Sequence, residues 1–277
     1  MSLSLLNHKK KIQYSTHPFP HIIIKDALDQ DIADKLTNEF PISLFNFQGN
    51  NQRIDLSAKF VRDSNDISKI WKDFIAYHAS EAFYKEVISA FSSFFSEYNY
   101  KYYDNFSTGI RGCDTHRQHN ILLDAQISIN TPVYEASSVR DAHVDNTNKL
   151  FSGLFYLRQK DDHSSGGNLE LCKWKEDYSM KDKIKYYKEG IHPKHYDVCK
   201  TVEYSNNIAI MFLNSIDAIH RVTQRENNDH PRCFVNLVGE LQNDLFIKQS
   251  KFKKLISETN QLIRSNLKAL IPFLKQR

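Results

Sequence analysis

The chain has 277 residues, 40% of them hydrophobic, 12% aromatic and 25% charged, with 8 Gly and 7 Pro. That is enough to bury a large core, and it excludes collagen-like, low-complexity and wholly disordered chains. A formal charge of +4, divided between Lys9-Lys10-Lys11 and the C-terminal basic residues, gives no basic patch of the kind nucleic acid requires.

Taken in chain order, His21 to Lys25 reads as a short strand after Pro18 and Pro20. A helix is expected from Asp29 or Asp31 to about Phe40, with Ile32, Ala33, Leu36 and Phe40 on one side. Residues 66–98 repeat helically through Ile67, Ile70, Trp71, Phe74, Phe83, Val87, Ile88, Phe91 and Phe95, a pattern of packing rather than of cofactor binding. From residue 121 the period shifts towards two. The expected strands are Ala125–Thr131, Arg140–His143, Leu150–Arg158, Asn168–Lys173, Val198–Tyr204, Asn207–Leu213, Ile219–Thr223 and Arg232–Leu241. Turn-formers such as Ser164-Ser165-Gly166-Gly167 and Asn227-Asn228-Asp229 separate them. A Lys-rich stretch from about Lys175 to Tyr196 reads as a polar insertion, and helical spacing returns from about Asp244 to Leu274.

Short strands after a helical prelude predict a mainly β chain with flanking helices (α+β), built on a double-sheet jelly roll of the cupin-like, double-stranded β-helix type. No linker divides the sequence, so one compact unit is expected. Its parts are residues 1–120 (N-terminal strand and helices), 121–241 (the core) and 242–277 (a C-terminal helical segment). That last segment is a candidate cover for a sheet or a homodimer contact. The N-terminus lacks the pattern of a signal peptide, and no apolar run reaches the length of a membrane span. The four cysteines, Cys113, Cys172, Cys199 and Cys233, form no C-x-x-C pair. Together these predict a reduced, cytoplasmic setting with no membrane partner.

The chemistry-bearing pattern is His143-Val144-Asp145, followed 75 residues after Asp145 by His220 and then by Arg232. Residues i and i+2 of a strand face the same way, so His143 and Asp145 can meet one ion. Two imidazoles and a carboxylate fit the facial triad of non-haem Fe(II), which leaves coordination positions open. Arg232 opens the last expected strand on the same face as Phe234 and Asn236. An inward arginine needs an anion, and a dicarboxylate provides one. His195-Tyr196-Asp197 repeats the H-x-D form inside the polar insertion and reads as solvated loop. His116-x-x-His119 and His192-x-x-His195 lack a structural-zinc donor set and read as entrance or solvent residues.

With these residues in place the chain resembles the Fe(II)/2-oxoglutarate-dependent dioxygenases, and within them the prolyl-4-hydroxylase-like branch. The resemblance is carried by Ala142-His143-Val144-Asp145, Gly153-Leu154-Phe155-Tyr156-Leu157, Gly166-Gly167-Asn168-Leu169-Glu170-Leu171, the His220 to Arg232 segment, and the Pro18-Phe19-Pro20 entry before a helix. It implies Fe(II) on His143, Asp145 and His220, and 2-oxoglutarate chelating the metal with its far carboxylate on Arg232. It also implies O2 as oxidant, ascorbate as a reductant, and release of succinate and CO2. The Arg stands slightly further from the distal His than is common in the family, and Phe234 occupies a position where relatives carry a hydroxyl. Tyr156 and Ser128 are candidate second contacts. Related halogenases lack the carboxylate ligand, so Asp145 favours hydroxylation. A small molecule such as a free amino acid is the first expected substrate, with Arg111, Arg117, Arg140 and Arg158 as candidate anion contacts, and a peptidyl proline is the second. A cupin-like metal-binding or isomerase protein without oxygenase activity is the alternative from another class.

Overall fold

A computed structural model describes residues 2–6 and 12–247. The expected C-terminal helix and dimer contact lie, beyond Ile247, outside the described residues. The chain begins with β1 (Ile12–Ser15) and β2 (His21–Lys25), then α1 (Gln30–Asn38), β3 (Arg53–Leu56), α2 (Ala58–Asp63), α3 (Lys69–His78), α4 (Glu81–Ala90), α5 (Glu97–Asp104) and β4 (Thr108–Ile110). The core strands are β5 (Ile121–Asn130), β6 (Lys149–Tyr156), β7 (Leu169–Trp174), β8 (Tyr196–Val202), β9 (Ile208–Leu213), β10 (Ile219–Val222) and β11 (Arg232–Leu241), with α6 (Met180–Glu189) between β7 and β8.

Two sheets result. The larger runs β1-β2-β9-β6-β11-β5-β3, with β4 alongside β5, and the smaller runs β10-β7-β8. Arg140–His143, expected as a strand, is irregular, yet it holds the place of a fourth strand in the small sheet. Ser137 bridges to Arg225 and His143 bridges to His220, each antiparallel. Apart from the β7–β8 pair within the small sheet, successive core strands thus alternate between the two sheets, which is jelly-roll topology.

Alternation along the strands divides the large sheet into two faces. One face, with Ile127, Ile129, Phe155, Val235 and Leu237, packs against α1, α3 and α4 in a continuous apolar core. Trp71 and Phe74 sit at its centre, and the Trp71 indole N–H donates to the Leu36 carbonyl at 3.1 Å. Ser57 and Ser80 cap α2 and α4 by accepting from the backbone N–H three residues on. The other face looks into the space between the sheets. There the cross-strand register sets side chains in rows. Arg53, Asn130 and Arg232 form one row, Asp55, Ser128, Phe234 and Tyr156 the next, then Gln126, Asn236 and Leu154, then Asp124, Val238 and Ser152.

The insertion from Lys175 is not a loop. It folds as α6, started by Ser179, which accepts from the Asp182 N–H at 3.2 Å. Tyr186 and Tyr187 pack against the outer side of the small sheet beside Trp174 and Ile219. His195 is a correction to the solvated reading. It is buried, stacked on Tyr186 at 3.9 Å between ring centroids, and its Nδ1 lies 3.0 Å from the Tyr178 hydroxyl. No helix among the described residues is long and apolar enough to cross a membrane.

Candidate metal and co-substrate site

His143 and His220 exchange both backbone hydrogen bonds, at 3.0 and 2.9 Å. Directly opposed residues of an antiparallel pair project to one side, and the two imidazoles face each other with ring centroids 4.2 Å apart. Asp145, two residues on, joins them. One donor atom from each of the three lies within 4.8 Å of the others, and among the described residues this is the one such group of three.

The protonation pattern suits a cation. His143 Nδ1 contacts the Asp141 carbonyl at 2.7 Å, and His220 Nδ1 contacts the Ala218 carbonyl at 3.0 Å. A carbonyl only accepts, so each Nδ1 carries the proton and each Nε2 keeps a lone pair. Burial pushes both imidazoles below their ordinary range, and for His143 the neighbouring His220 and Arg140 add to the effect. Asp145 is buried, which alone would raise its carboxyl. Lys149, the histidines and the Ser152 hydroxyl outweigh that and hold it well below the usual carboxylate range. Ser152 donates to Oδ2 at 2.6 Å and Lys149 Nζ lies 3.3 Å from the same oxygen, so Oδ2 is held and Oδ1 faces His143. Two neutral imidazoles and an ionised carboxylate are the donor set of a divalent non-haem metal.

Arg232 lies in the row that begins at Arg53 and is 1% exposed. Its Nη1 donates to Asn130 Oδ1 at 3.1 Å and its Nη2 to the Tyr156 hydroxyl at 3.0 Å. The guanidinium carbon sits 4.8 Å from the Tyr156 ring centroid, 5.2 Å from Tyr204 and 4.9 Å from Phe234. No described carboxylate reaches it. Arg232 Nε and Asn130 Nδ2 are both buried donors without a partner. The Tyr156 hydroxyl, accepting from Arg232, still has its own proton to give. An aromatic-walled cage holding one cation and further donors, with no anion, is costly unless an anion fills it. The Gly166-Gly167 turn closes over this cage. A Cβ on Gly167 would lie 3.0 Å from Arg232 Cδ, and the residue has φ +77°.

Ser128, a candidate second contact in the sequence, lies one row away from Arg232. Its hydroxyl donates to Asp55 at 2.6 Å, opposite Phe234, and Asn130 stands next to Arg232 instead. Of the candidate anion contacts, Arg140 Nη1 lies 3.7 Å from Asp145 Oδ1, while Arg111 bridges Asp124 and Glu240 at 3.5 and 3.3 Å. Arg158 is spent on backbone carbonyls of Asp162, Ser164 and Tyr204. Arg117, His116 and His119 line a separate cavity of about 410 Å³ beside Tyr103 and Leu245. A cavity of about 330 Å³ adjoins His143, lined by Arg140, Asn146, Tyr187 and Lys188. Asn130, Ser152 and Lys149 went unnoticed in the sequence. The alternation of β6 puts Ser152 on the face of Tyr156, a signal that could have found it.

No protein-family model matches the sequence, and no curated protein does either. Among solved structures the chain is similar to a Pseudomonas putida prolyl-4-hydroxylase, at 12% identity and a TM-score of 0.45, covering 88% of this chain and 100% of that one. It is also similar to a prolyl 4-hydroxylase from Phytophthora capsici, at 14% identity and a TM-score of 0.43, over 94% of this chain and 72% of that one. A third is a Trichoplax adhaerens prolyl hydroxylase in complex with a hypoxia-inducible-factor peptide, at 14% identity and a TM-score of 0.41, over 86% and 88%.

Proposed function

We propose that this protein is an Fe(II)- and 2-oxoglutarate-dependent dioxygenase that hydroxylates an unactivated C–H bond of a small molecule. The observation that carries the reading is the buried Arg232, which no carboxylate among the described residues reaches and whose Nε has no partner there, on the inner face of a jelly roll that also gathers two neutral imidazoles and an ionised carboxylate. A metal-binding protein without co-substrate has no use for that cage.

His143 Nε2, His220 Nε2 and Asp145 would hold Fe(II), with Ser152 and Lys149 orienting the carboxylate through its other oxygen. Arg232 would grip the far carboxylate of 2-oxoglutarate, with the Asn130 Nδ2 and Tyr156 hydroxyl donors beside it. Bound together, the metal and 2-oxoglutarate would supply O2-dependent hydroxylation of a C–H bond, coupled to conversion of 2-oxoglutarate into succinate and CO2. Phe234, Tyr156 and Tyr204 wall the cage and keep water from the charge pair, which strengthens it.

Anaerobic titration of the Fe(II)-loaded protein with 2-oxoglutarate tests this. The expected result is the weak visible charge-transfer band of the chelate in the wild type, requiring at least about tenfold more co-substrate in Arg232→Gln. No band at any concentration would leave a metal-binding protein without oxygenase chemistry.

A further inference from the structure

The inner face of the large sheet is divided. Its β6–β9–β2 half is apolar, with Leu154, Ile210, Phe212 and Ile23, whereas β5 and β11 bring Asp124, Gln126 and Asn236 to the same face. Polar side chains in such a place are costly unless they satisfy one another or meet a ligand. These form a chain. Asn236 Nδ2 donates to Gln126 Oε1 at 2.7 Å, and Gln126 Nε2 donates to Asp124 Oδ2 at 2.9 Å. The Ala58 N–H donates to Asp124 Oδ1 at 2.9 Å, and Arg111 Nη1 lies 3.5 Å from Oδ2.

The carboxylate sets the polarity of this chain. Among the described residues Asp124 meets only donors, as an ionised acceptor does, and burial raises its carboxyl only to about 6. Gln126 must then turn its NH2 to Asp124 and its carbonyl to Asn236, and Asn236 must turn its NH2 to Gln126. What is left is Asn236 Oδ1, the one acceptor of the chain to which no described residue donates, on a side chain 7% exposed. Hydrogen bonds in series polarise one another, so the carboxylate strengthens that oxygen as an acceptor. Arg111 is shared between Asp124 and Glu240, at 3.5 and 3.3 Å, which leaves a negative excess behind the chain.

Asn236 also stands close to the metal ligands. It is diagonal to Ser152 across the β6–β11 pair, about 7–8 Å away, and Ser152 donates to Asp145 Oδ2 at 2.6 Å. Arg232 lies about 13 Å back along β11, with Phe234 between them on the same face. The co-substrate cage and the open oxygen therefore occupy separate stretches of one strand.

We propose that the substrate of this site carries a protonated amine, bound by Asn236 Oδ1 beside the metal ligands, with Gln126 and Asp124 as positioning residues that keep that oxygen turned to the interior. The inference rests on the dioxygenase reading and adds the substrate class: a small molecule with a free amino group, amino acids included. An ammonium supplies both the donor the chain lacks and the positive charge its carboxylate end calls for. The apolar half of the sheet takes the hydrocarbon part.

The test uses the standard L-α-amino acids and straight-chain monoamines as probes, each against its analogue with a hydroxyl in place of the amino group. The first readout is binding to Zn(II)-loaded protein with 2-oxoglutarate, by ligand-observed NMR. The second is stimulation of succinate formation in the Fe(II) form. The expected result is that amines bind at least about tenfold more tightly than their hydroxy analogues, as a charge-assisted contact does. Asn236→Leu should abolish that advantage, and Asn236→Asp should keep or enlarge it. Asp124→Asn should reverse it. An amide at this position can donate to Gln126 Oε1, so that Gln126 donates to Asn236 Oδ1 and Asn236 presents its NH2 instead. The preference then passes to the hydroxy analogue, a change of sign that a merely structural loss does not produce. Equal binding of amine and hydroxy analogue, an unchanged preference in either Asn236→Leu or Asp124→Asn, or no binder in the panel overturns the inference. If the 2-oxoglutarate charge-transfer band is present, such a failure belongs to the substrate class alone. If the band is absent, the dioxygenase reading falls first and takes this inference with it.

Discussion

Arg225 and Arg232 stand seven positions apart, both 1% exposed, and they make opposite use of burial. Arg225 Nη1 donates to Asn51 Oδ1 and the Thr131 carbonyl, each at 2.8 Å, and Nη2 donates to the His230 carbonyl at 2.7 Å and Asn228 Oδ1 at 3.3 Å. Four neutral acceptors surround it, and burial, with Arg232 nearby, lowers its pKa to about 10. It ties the turn before β11 to the loop before β3. Arg232 has an amide oxygen and a phenol, three aromatic faces and a bare Nε. A buried cation saturated by fixed acceptors is part of the scaffold, whereas one left short of acceptors among further idle donors is waiting for a ligand.

Substitution should separate the two most sharply. Arg225→Met strands four acceptors and is expected to cost about 3–5 kcal/mol of stability in urea unfolding. Arg232→Met removes an uncompensated charge and should change the stability of the ligand-free protein by less than about 1 kcal/mol. Equal losses would erase the distinction. Asn130→Asp goes further, placing a carboxylate against Arg232. It should stabilise the ligand-free protein and weaken 2-oxoglutarate binding by on the order of a hundredfold, read by calorimetry on the metal-loaded form.

A third buried base has given up its charge. His78, among the helices, donates from Nδ1 to the Phe74 carbonyl and accepts at Nε2 from the Leu5 N–H, and burial pushes its pKa down to about 3. The unfolded chain takes up this proton near pH 6.5 and the folded one near pH 3, so its stabilisation is full above pH 6.5 and drains away below it. At pH 5 the wild type should have lost about 2 kcal/mol more, relative to pH 7, than His78→Gln. Equal pH dependence in the two proteins would contradict the neutral assignment.

The smaller effects concern the supporting hydroxyls. Ser152→Ala leaves Asp145 Oδ2 with Lys149 alone and should weaken Mn(II) or Fe(II) binding about 10- to 100-fold without unfolding the protein. Tyr156→Phe removes one acceptor and one donor from the cage. It should weaken 2-oxoglutarate binding roughly 3- to 10-fold, leaving kcat nearly intact. An Arg232 cage indifferent to both Asn130→Asp and Tyr156→Phe would not be the co-substrate site.

Much of this was legible in the chain. The strands from β6 to β11 fall near their expected positions because alternation and turn residues are local signals. β5 starts at Ile121, earlier than expected, since all ten of its residues are buried and its first four show no alternation. The Lys175 insertion looked like loop because α6 buries none of its residues, although Ser179-Met180-Lys181-Asp182 carries a helix-start signal. His195 seemed solvated for the same reason, its stacking partner being on that unrecognised helix.

Ser128 and Asn130 show where local reading ends. Both lie on the inward phase of β5, so alternation nominates each equally. Register decides between them, pairing Asn130 with Arg232 and Ser128 with Phe234. What the sequence by itself determined was which residues could act: an H-x-D at strand spacing, a distant histidine, an arginine at the head of a strand. Only the tertiary structure decided which of them meet and what each lacks. The His143–His220 pair, the Asn130–Arg232 contact 102 residues apart and the unpartnered Nε of a buried guanidinium all depend on cross-strand pairing, which no local pattern of the chain encodes.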